Sequence, residues 1–247
     1  MAKTTKRTTA SAGTGRSSKP GSAGNRRGTG SNKRKSRSRG RTSKKYKQQI
    51  RRKRMIAMMM LIMVAVAGAI IGSHMKVVDI SHVDYPSYVD QQFIKKDGHS
   101  RTGNKIRRVN DIVIHYVGNE GSTAQANRDY FDSNKSTVSS HFVVGLQGEV
   151  IQCVPLDEWS SASNNRNKDT ISIEVCHPTE NGKFNDVTYA RVVQLTAWLC
   201  DEFGLDEKDV IRHHDITGKL CPLYYVEHED AWEQMRDDIK QELKNRK

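Results

Sequence analysis

The first 54 residues of this 247-residue chain contain no aspartate or glutamate. The same 54 residues hold 20 lysines and arginines. No large apolar side chain occurs between Met1 and Tyr46. A segment of this composition cannot bury enough apolar surface to offset the entropy that folding would cost. We therefore expect residues 1–54 to form a disordered basic arm.

The charge of the chain divides unevenly between this arm and the rest. The formal net charge is +13, and because the arm contributes +20, residues 55–247 carry −7. The basic arm is expected to lie against anionic lipid headgroups. Nucleic acid is not an expected partner, because Tyr46 is the only aromatic residue of the arm and cannot by itself form a stacking platform.

Residues 55–72 lack charged side chains altogether. With Ser73 the stretch is 19 residues long, about the length of a helix that crosses the hydrocarbon core of a membrane. We interpret residues 55–73 as a transmembrane signal-anchor helix. A cleaved signal peptide is the alternative, because Ala67-Gly68-Ala69 resembles a small-residue cleavage site.

The flanks of this stretch predict its orientation. Arg51-Arg52-Lys53-Arg54 adjoins its N-terminal end, whereas charges of both signs follow its C-terminal end. The positive-inside rule then puts the N-terminus in the cytoplasm and residues from about 75 onward outside. We expect a single-pass protein of the cell membrane whose globular part is extracytoplasmic.

Residues 74–104 show no regular apolar periodicity and are interpreted as a stalk or linker. Beyond them, short apolar runs predict strands at 112–117, 142–146, 149–154, 170–176 and 210–211. Helices are predicted over 122–131, from 185 or 186 to 204, and after about 227. Strands that alternate with helices predict an α/β fold, in which residues 105–247 form a single domain with a central mixed β-sheet flanked by helices.

All four cysteines lie in the part that is expected to be exported, where disulfides are common. Cys153, Cys176 and Cys200 nevertheless occupy apolar positions of predicted strands or a helix, which favours small buried side chains over disulfide partners. Cys221 differs, because it lies in a loop with His213 and His214 just upstream. Imidazole and thiolate together suit zinc, although the spacing alone is a weak signal.

Five short segments, in this order along the chain, resemble the zinc-dependent N-acetylmuramoyl-L-alanine amidases, the family of phage T7 lysozyme that is related to peptidoglycan recognition proteins. The segments are Ile112-Val113-Ile114-His115-Tyr116, Ser139-Ser140-His141-Phe142-Val143-Val144, Gly148-Glu149-Val150-Ile151-Gln152, Ser172-Ile173-Glu174-Val175 and the loop from Arg212 to Pro222. The resemblance covers residues 105–230 and implies a hydrolase that acts on peptidoglycan.

Residue by residue, the resemblance implies a catalytic zinc ion held by His115, His213 and Cys221, with water in the fourth position. Glu174 would be the general base and Lys219 would stabilise the oxyanion. From the pattern alone, His115 could equally be a core histidine, Glu174 a solvent-facing strand residue and Lys219 an exposed loop lysine.

The chain departs from the family pattern at two places. Ser140 stands where T7-like members carry a catalytic tyrosine, so the proton-transfer role shifts toward Glu174. Many relatives carry Trp-His-Ala-Gly after the hairpin, but here Trp159 is followed by Ser-Ser-Ala, and the histidine is absent. His141 is expected to face substrate or support the metal, and His214 to be a structural neighbour of His213.

Three hypotheses of function follow. The first is an amidase that cleaves the bond between N-acetylmuramic acid and L-alanine of the peptide stem, in a Gram-positive setting. The second is a non-catalytic peptidoglycan-binding receptor of the recognition-protein type, which the intact set of ligands argues against. The third makes the basic arm the functional part, a tether to lipid or DNA.

Overall fold

The structure is a computed structural model that describes residues 38–74, 77–96 and 99–246. Its first element, helix α1, spans Ser38–His74. The helix begins well before Met55, so the expectation of a disordered arm is wrong for residues 38–54. Lysine, arginine and glutamine are good helix formers, and extending an existing helix needs no new nucleation. The remainder of the predicted arm, residues 1–37, lies outside the described residues.

Within α1, Ser43–Ile70 is the one stretch of the described residues that is long and apolar enough to cross a membrane. Its most apolar window has a mean hydropathy of 1.9, and none of that window is buried. A signal sequence has the same properties, so both interpretations of this stretch agree with the helix.

The globular part is built on a six-stranded sheet with strand order β1-β4-β3-β5-β2-β6. Neighbouring strands are parallel except for the antiparallel hairpin of β3 and β4, which confirms the predicted mixed sheet. The strands are β1 (Val89–Gln91), β2 (Asp111–Tyr116), β3 (Phe142–Val144), β4 (Val150–Gln152), β5 (Thr170–Val175) and β6 (Val210–Arg212).

Helices flank the sheet, as expected for this fold class. They are α2 (Ala124–Phe131), α3 (Asp186–Phe203), α4 (His213–Thr217), α5 (Leu223–Glu227) and α6 (Glu229–Asn245). The long helix α3 begins and ends as predicted: the Asn185 side chain accepts a hydrogen bond from Thr188 N, and Gly204 ends the helix in the left-handed conformation, with φ of 65°.

The two faces of the sheet differ in character. Alternate residues of β5 point to opposite faces, so Ile171, Ile173 and Val175 enter the large apolar core that contains residues of α3 and α6. Ser172 and Glu174 point to the other face, where α2 packs on β3 and β4. This second face carries the polar side chains discussed below.

The interpretation of residues 74–104 as a stalk is wrong for most of the segment. Its strand β1 pairs in parallel with β4, and Val78 N donates a hydrogen bond to Ile106 O at 2.9 Å. Ile94 is buried, and Arg101 forms an ion pair of 2.7 Å with the buried Glu158. Single apolar residues at irregular spacing produce no periodicity, which is why the sequence pattern did not reveal this edge of the domain.

Candidate metal centre

Three side chains far apart in the sequence meet at one end of the sheet. The potential ligand atoms of His115, His213 and Cys221 all lie within 4.8 Å of one another, and all three residues are buried. His115 is the last residue but one of β2, and His213 directly follows β6. Because Ile114 pairs with Arg212 in the sheet register, the two histidines emerge side by side.

Cys221 reaches the histidines from the loop between α4 and α5. Its Sγ lies 3.8 Å from His115 Nδ1, and its carbonyl oxygen accepts a hydrogen bond of 2.9 Å from His214 N. That hydrogen bond ties the loop to the start of α4, the helix that begins with His213. The two ligand-bearing segments are therefore joined to each other through the backbone.

The ring nitrogens of the histidines have distinct surroundings. His213 Nε2 lies 3.0 Å from Asn164 Oδ1, whereas its buried Nδ1 finds no hydrogen-bond partner among the residues that the structure describes. His115 Nε2 lies 3.4 Å from Ser163 Oγ, and its Nδ1 faces Cys221. Each histidine thus contacts a polar side chain through Nε2 and leaves Nδ1 without a contact to that side chain, and in His115 this Nδ1 faces Cys221.

Burial dominates the protonation of this cluster. It lowers the pKa of His115 well below its usual value, helped by the charges of His213 and Lys219, and it also lowers the pKa of His213. Neutral imidazoles have the free lone pair that a metal needs. Burial raises the pKa of the Cys221 thiol to about 12, so a cation would be required to hold this sulfur as thiolate.

Glu174 lies beside the histidines on the neighbouring strand. Its backbone pairs with that of His115 in the register of β2 and β5, and its Oε1 is 3.9 Å from His115 Nδ1. Its Oε2 is buried without a partner among the described residues. Burial raises the pKa of this carboxyl group to about 8, and the charge of Lys219 acts in the opposite direction.

A cavity of about 790 Å³ opens over the cluster. His115, His213, Cys221, Glu174 and Lys219 all line it, so all five residues that the sequence pointed to share one cavity. Other walls come from α2, with Tyr130 and Phe131, and from the loop that contains Asn164. This volume is within the range of about 300–1,000 Å³ that is typical of ligand sites.

Comparison with known proteins adds to this geometry. Residues 105–223 match the family model described as N-acetylmuramoyl-L-alanine amidase. This part of the chain belongs to that family. Among curated relatives, the amidase domain is similar to N-acetylmuramoyl-L-alanine amidase BlyA of Bacillus subtilis, 29% identical over 64% of this chain and 48% of the relative. It is also similar to amidase XlyB of the same organism, 32% identical over 53% of this chain and 42% of the relative.

The chain thus spans less than half the length of these two curated relatives. A solved structure, the catalytic domain of XlyA, is 27% identical and has a TM-score of 0.54. The aligned region covers 61% of this chain and 98% of the solved chain. The similarity to this solved structure thus covers about three fifths of the chain and nearly the whole of the solved domain.

His141 and His214 lie outside the cluster. In the amidase domain His141 is fully buried, accepts a hydrogen bond at Nδ1 from Ser172 N and contacts Glu158 O through Nε2. It does not line the cavity, and its ring contacts Ser172 and Glu158 but none of the three candidate ligands, so the expectation that it faces substrate or supports the metal is not met. His214 directs Nδ1 to Lys219 O at 3.0 Å, which agrees with its expected structural role.

Ser140, at the position where the resemblance would put a tyrosine, is buried and donates its hydroxyl to Phe142 O at 2.6 Å. It is not among the residues that line the cavity. The residues that sequence reasoning missed are Ser163 and Asn164. No pattern marks them, because their significance comes from two histidines that lie about 50 residues away on either side.

The cysteines other than Cys221 agree with the prediction from their positions. Cys153, Cys176 and Cys200 are buried, and none of the four cysteines forms a disulfide within the part of the chain that the structure describes. Cys153 and Cys176 belong to the small apolar cluster on the second face of the sheet, and Cys200 belongs to the main core.

Proposed function

We propose that the chain is a zinc-dependent amidase that hydrolyses the amide between N-acetylmuramic acid and the L-alanine of the peptidoglycan stem. One observation carries the proposal. The ligand atoms of His115, His213 and Cys221 converge at the base of a cavity, directly beside a carboxylate that has an unpaired oxygen. Three protein ligands that leave one position open are typical of catalytic zinc.

The geometry of the donors fits zinc. Bonds of about 2.0 Å to nitrogen and 2.3 Å to sulfur, at tetrahedral angles, separate the two donor atoms by roughly 3.6 Å. The distance from His115 Nδ1 to Cys221 Sγ is 3.8 Å. The buried His213 Nδ1, unpaired within the described residues, supplies the second nitrogen donor. An unpaired buried nitrogen is costly unless a ligand completes it, which supports a metal at this place.

The chain's own residues account for the proton transfers. When bound, zinc supplies a Lewis acid that lowers the pKa of a water and polarises a carbonyl group. With its carboxyl group ionised, as a bound cation would favour, Glu174 takes a proton from the attacking water and returns it to the nitrogen of the leaving amine. Lys219, on the cavity wall, balances the negative charge that develops on the carbonyl oxygen. A C–O bond forms, the C–N bond breaks, and the proton ends on the amine.

The test uses the full chain, solubilised in detergent, with purified peptidoglycan as substrate. We expect new L-alanine amino termini to appear, and we expect this release to stop when a chelator removes the metal and to resume when zinc is added back. Cys221→Ser should lose both the zinc and the activity, since a serine hydroxyl is a poor zinc ligand.

Cys200→Ser is the matched control, because Cys200 is buried in the core, where its Sγ donates to Asp206 O at 3.8 Å, and does not line the cavity. It should keep one zinc ion and full activity in the folded protein. Zinc bound at one equivalent with no release of stems would contradict the proposal. Binding of cell wall without hydrolysis would instead support the receptor alternative.

We further propose that α1 anchors the protein in the membrane, with the N-terminus in the cytoplasm and the amidase domain outside. The support is the helical stretch Ser43–Ile70, which carries no charged side chain from Met55 onward, and the exposed basic side chains just before Met55, among them Lys53 and Arg54. Those cations would contact anionic headgroups. The full chain should stay with membranes at high salt and keep its N-terminal residues by intact mass. A mature chain that begins near Ala69 would show cleavage of a signal peptide instead.

A further inference from the structure

One short loop contacts both histidines of the candidate metal centre. Ser163 and Asn164 are adjacent in sequence, and each directs its side-chain oxygen to a different ring. Ser163 Oγ lies 3.4 Å from His115 Nε2, and Asn164 Oδ1 lies 3.0 Å from His213 Nε2. In His115 this is the nitrogen opposite the one that faces Cys221, and in His213 it is the nitrogen opposite the buried Nδ1 that has no partner among the described residues.

The contact with Asn164 determines which nitrogen of His213 carries hydrogen. An amide oxygen is an acceptor, so Nε2 must donate, and Nδ1 then has a free lone pair. The opposite tautomer would bury an N–H donor at Nδ1, where the described residues offer no acceptor. At His115 the Ser163 hydroxyl can donate or accept, so this contact is compatible with the same tautomer but does not impose it; there Nδ1 faces Cys221 Sγ at 3.8 Å.

The backbone of this loop is held in a conformation that places Asn164 beside His213. Asn164 has a φ of 54° and is the one non-glycine residue with positive φ in the described part of the chain. Asparagine tolerates this conformation better than most residues, but it is still less favourable than an extended one. Asn167 Oδ1 holds the loop by accepting hydrogen bonds from Ala162 N at 3.1 Å and Ser163 N at 2.6 Å.

We propose that Ser163 and Asn164 are positioning residues that hold the Nε2 side of both imidazoles, and that Asn164 keeps His213 in the Nε2–H tautomer, with its Nδ1 lone pair free for the metal. The inference rests on the proposed zinc site and assigns the tautomer of His213. Hydrogen bonds to the outer nitrogen of a metal-binding histidine fix its orientation, and losing them commonly weakens metal binding about 10- to 100-fold.

Asn164→Gly is the decisive variant. Glycine adopts positive φ freely, so the change removes the acceptor without straining the loop. Asn164→Asp restores an acceptor at the same position. Asn165→Ala is the matched control, because Asn165 is the exposed neighbour in the same short turn and no contact with either histidine involves it.

Two readouts are measured on the full chain in detergent. The first is the dissociation constant for zinc, from competition with a chromogenic chelator. We expect Asn164→Gly to raise it about 10- to 100-fold, Ser163→Ala to raise it less because its contact is longer, and the Asp and Asn165 variants to stay near the parent.

The second readout is the ¹⁵N spectrum of the metal-free protein labelled at histidine, with His213→Gln used to assign the signal. The parent and Asn164→Asp should show a protonated Nε2 and an unprotonated Nδ1 at His213, and Asn164→Gly a mixture of tautomers. If Asn164→Gly does not fold, the tautomer in Asn164→Asp decides the question, and a protonated Nδ1 there would overturn the inference.

Unchanged zinc affinity and an unchanged tautomer in folded Asn164→Gly would also overturn it. This failure is distinct from that of the proposed function. A parent protein that binds no zinc would remove the zinc site, whereas the spectrum of the metal-free protein would still report whether Asn164 selects the tautomer.

Discussion

The two faces of the sheet use the same strands for different purposes. On β5, Ile173 enters the apolar core beneath α3 and α6, while the next residue, Glu174, lines the cavity beside His115. The core face is closed by packing. The cavity face holds two buried polar atoms that have no hydrogen-bond partner among the described residues, namely Glu174 Oε2 and His213 Nδ1. Stability and chemistry are therefore expected to respond to different substitutions.

Removing the Glu174 carboxyl group from the cavity face should produce the largest loss of catalytic rate. Glu174→Gln keeps the shape of the side chain but cannot accept a proton, so kcat should fall about 10²- to 10⁴-fold. Zinc content and thermal stability should match the parent. Glu180→Gln, an exposed glutamate after the same strand, is the control. Steady-state release of peptide stems measures the effect, and a kcat within twofold of the parent would exclude Glu174 as the base.

Truncating a side chain of the core face should lower the stability of the protein but leave its zinc site unchanged. Trp198 is 1% exposed, and its ring contacts those of Tyr85 and Phe142. Trp198→Ala should lower the free energy of unfolding by about 3–5 kcal/mol. Urea titration followed by circular dichroism measures this loss. The zinc affinity of the molecules that remain folded should not change, and a large loss of affinity would show that the two faces are coupled.

A smaller effect on catalysis is expected at the rim of the cavity. Lys219→Met keeps the length of the side chain but removes the positive charge, which should lower kcat about 10²-fold. Lys208→Met, at an exposed lysine in the short turn before β6, should have no effect. An equal loss in both variants would point to general electrostatics and not to a charge placed at the developing oxyanion.

The smallest expected effect is a change in the free energy of unfolding, which tests whether residues 77–96 belong to the domain. Ile94 is 2% exposed and packs in the apolar cluster beneath the cavity face. Ile94→Val should reduce the free energy of unfolding by about 1 kcal/mol. Val77→Ala, at an exposed position of the same segment, should change it by less than about 0.5 kcal/mol. Equal and negligible changes would favour the stalk that the sequence suggested.

Much of the fold follows from local rules. The alternation of Ser172, Ile173 and Glu174 predicts a strand with two different faces, and Asn185 and Gly204 mark the ends of α3 because their side-chain and backbone preferences act within a few residues. These signals depend on neighbours in sequence, so one chain is enough to reveal them. The edge strand β1 carried no such signal, since three residues cannot show a period.

The candidate site was predictable as a set of residues but not as a geometry. Resemblance to a family pointed to His115, His213 and Cys221, and the structure brings them together. Neither spacing nor composition indicated that Asn164 contacts His213, or that His141 is satisfied within the core.

The sequence by itself determined the α/β class, the apolar stretch in α1 and which side chains can bind a metal, because these depend on local pattern and on chemistry that each residue carries alone. Tertiary structure alone decided how the candidate ligands meet, which histidine nitrogen faces inward and that residues 77–96 complete the sheet. These features depend on strand register and loop closure, which place groups about 50 to 100 residues apart within a few ångströms of each other.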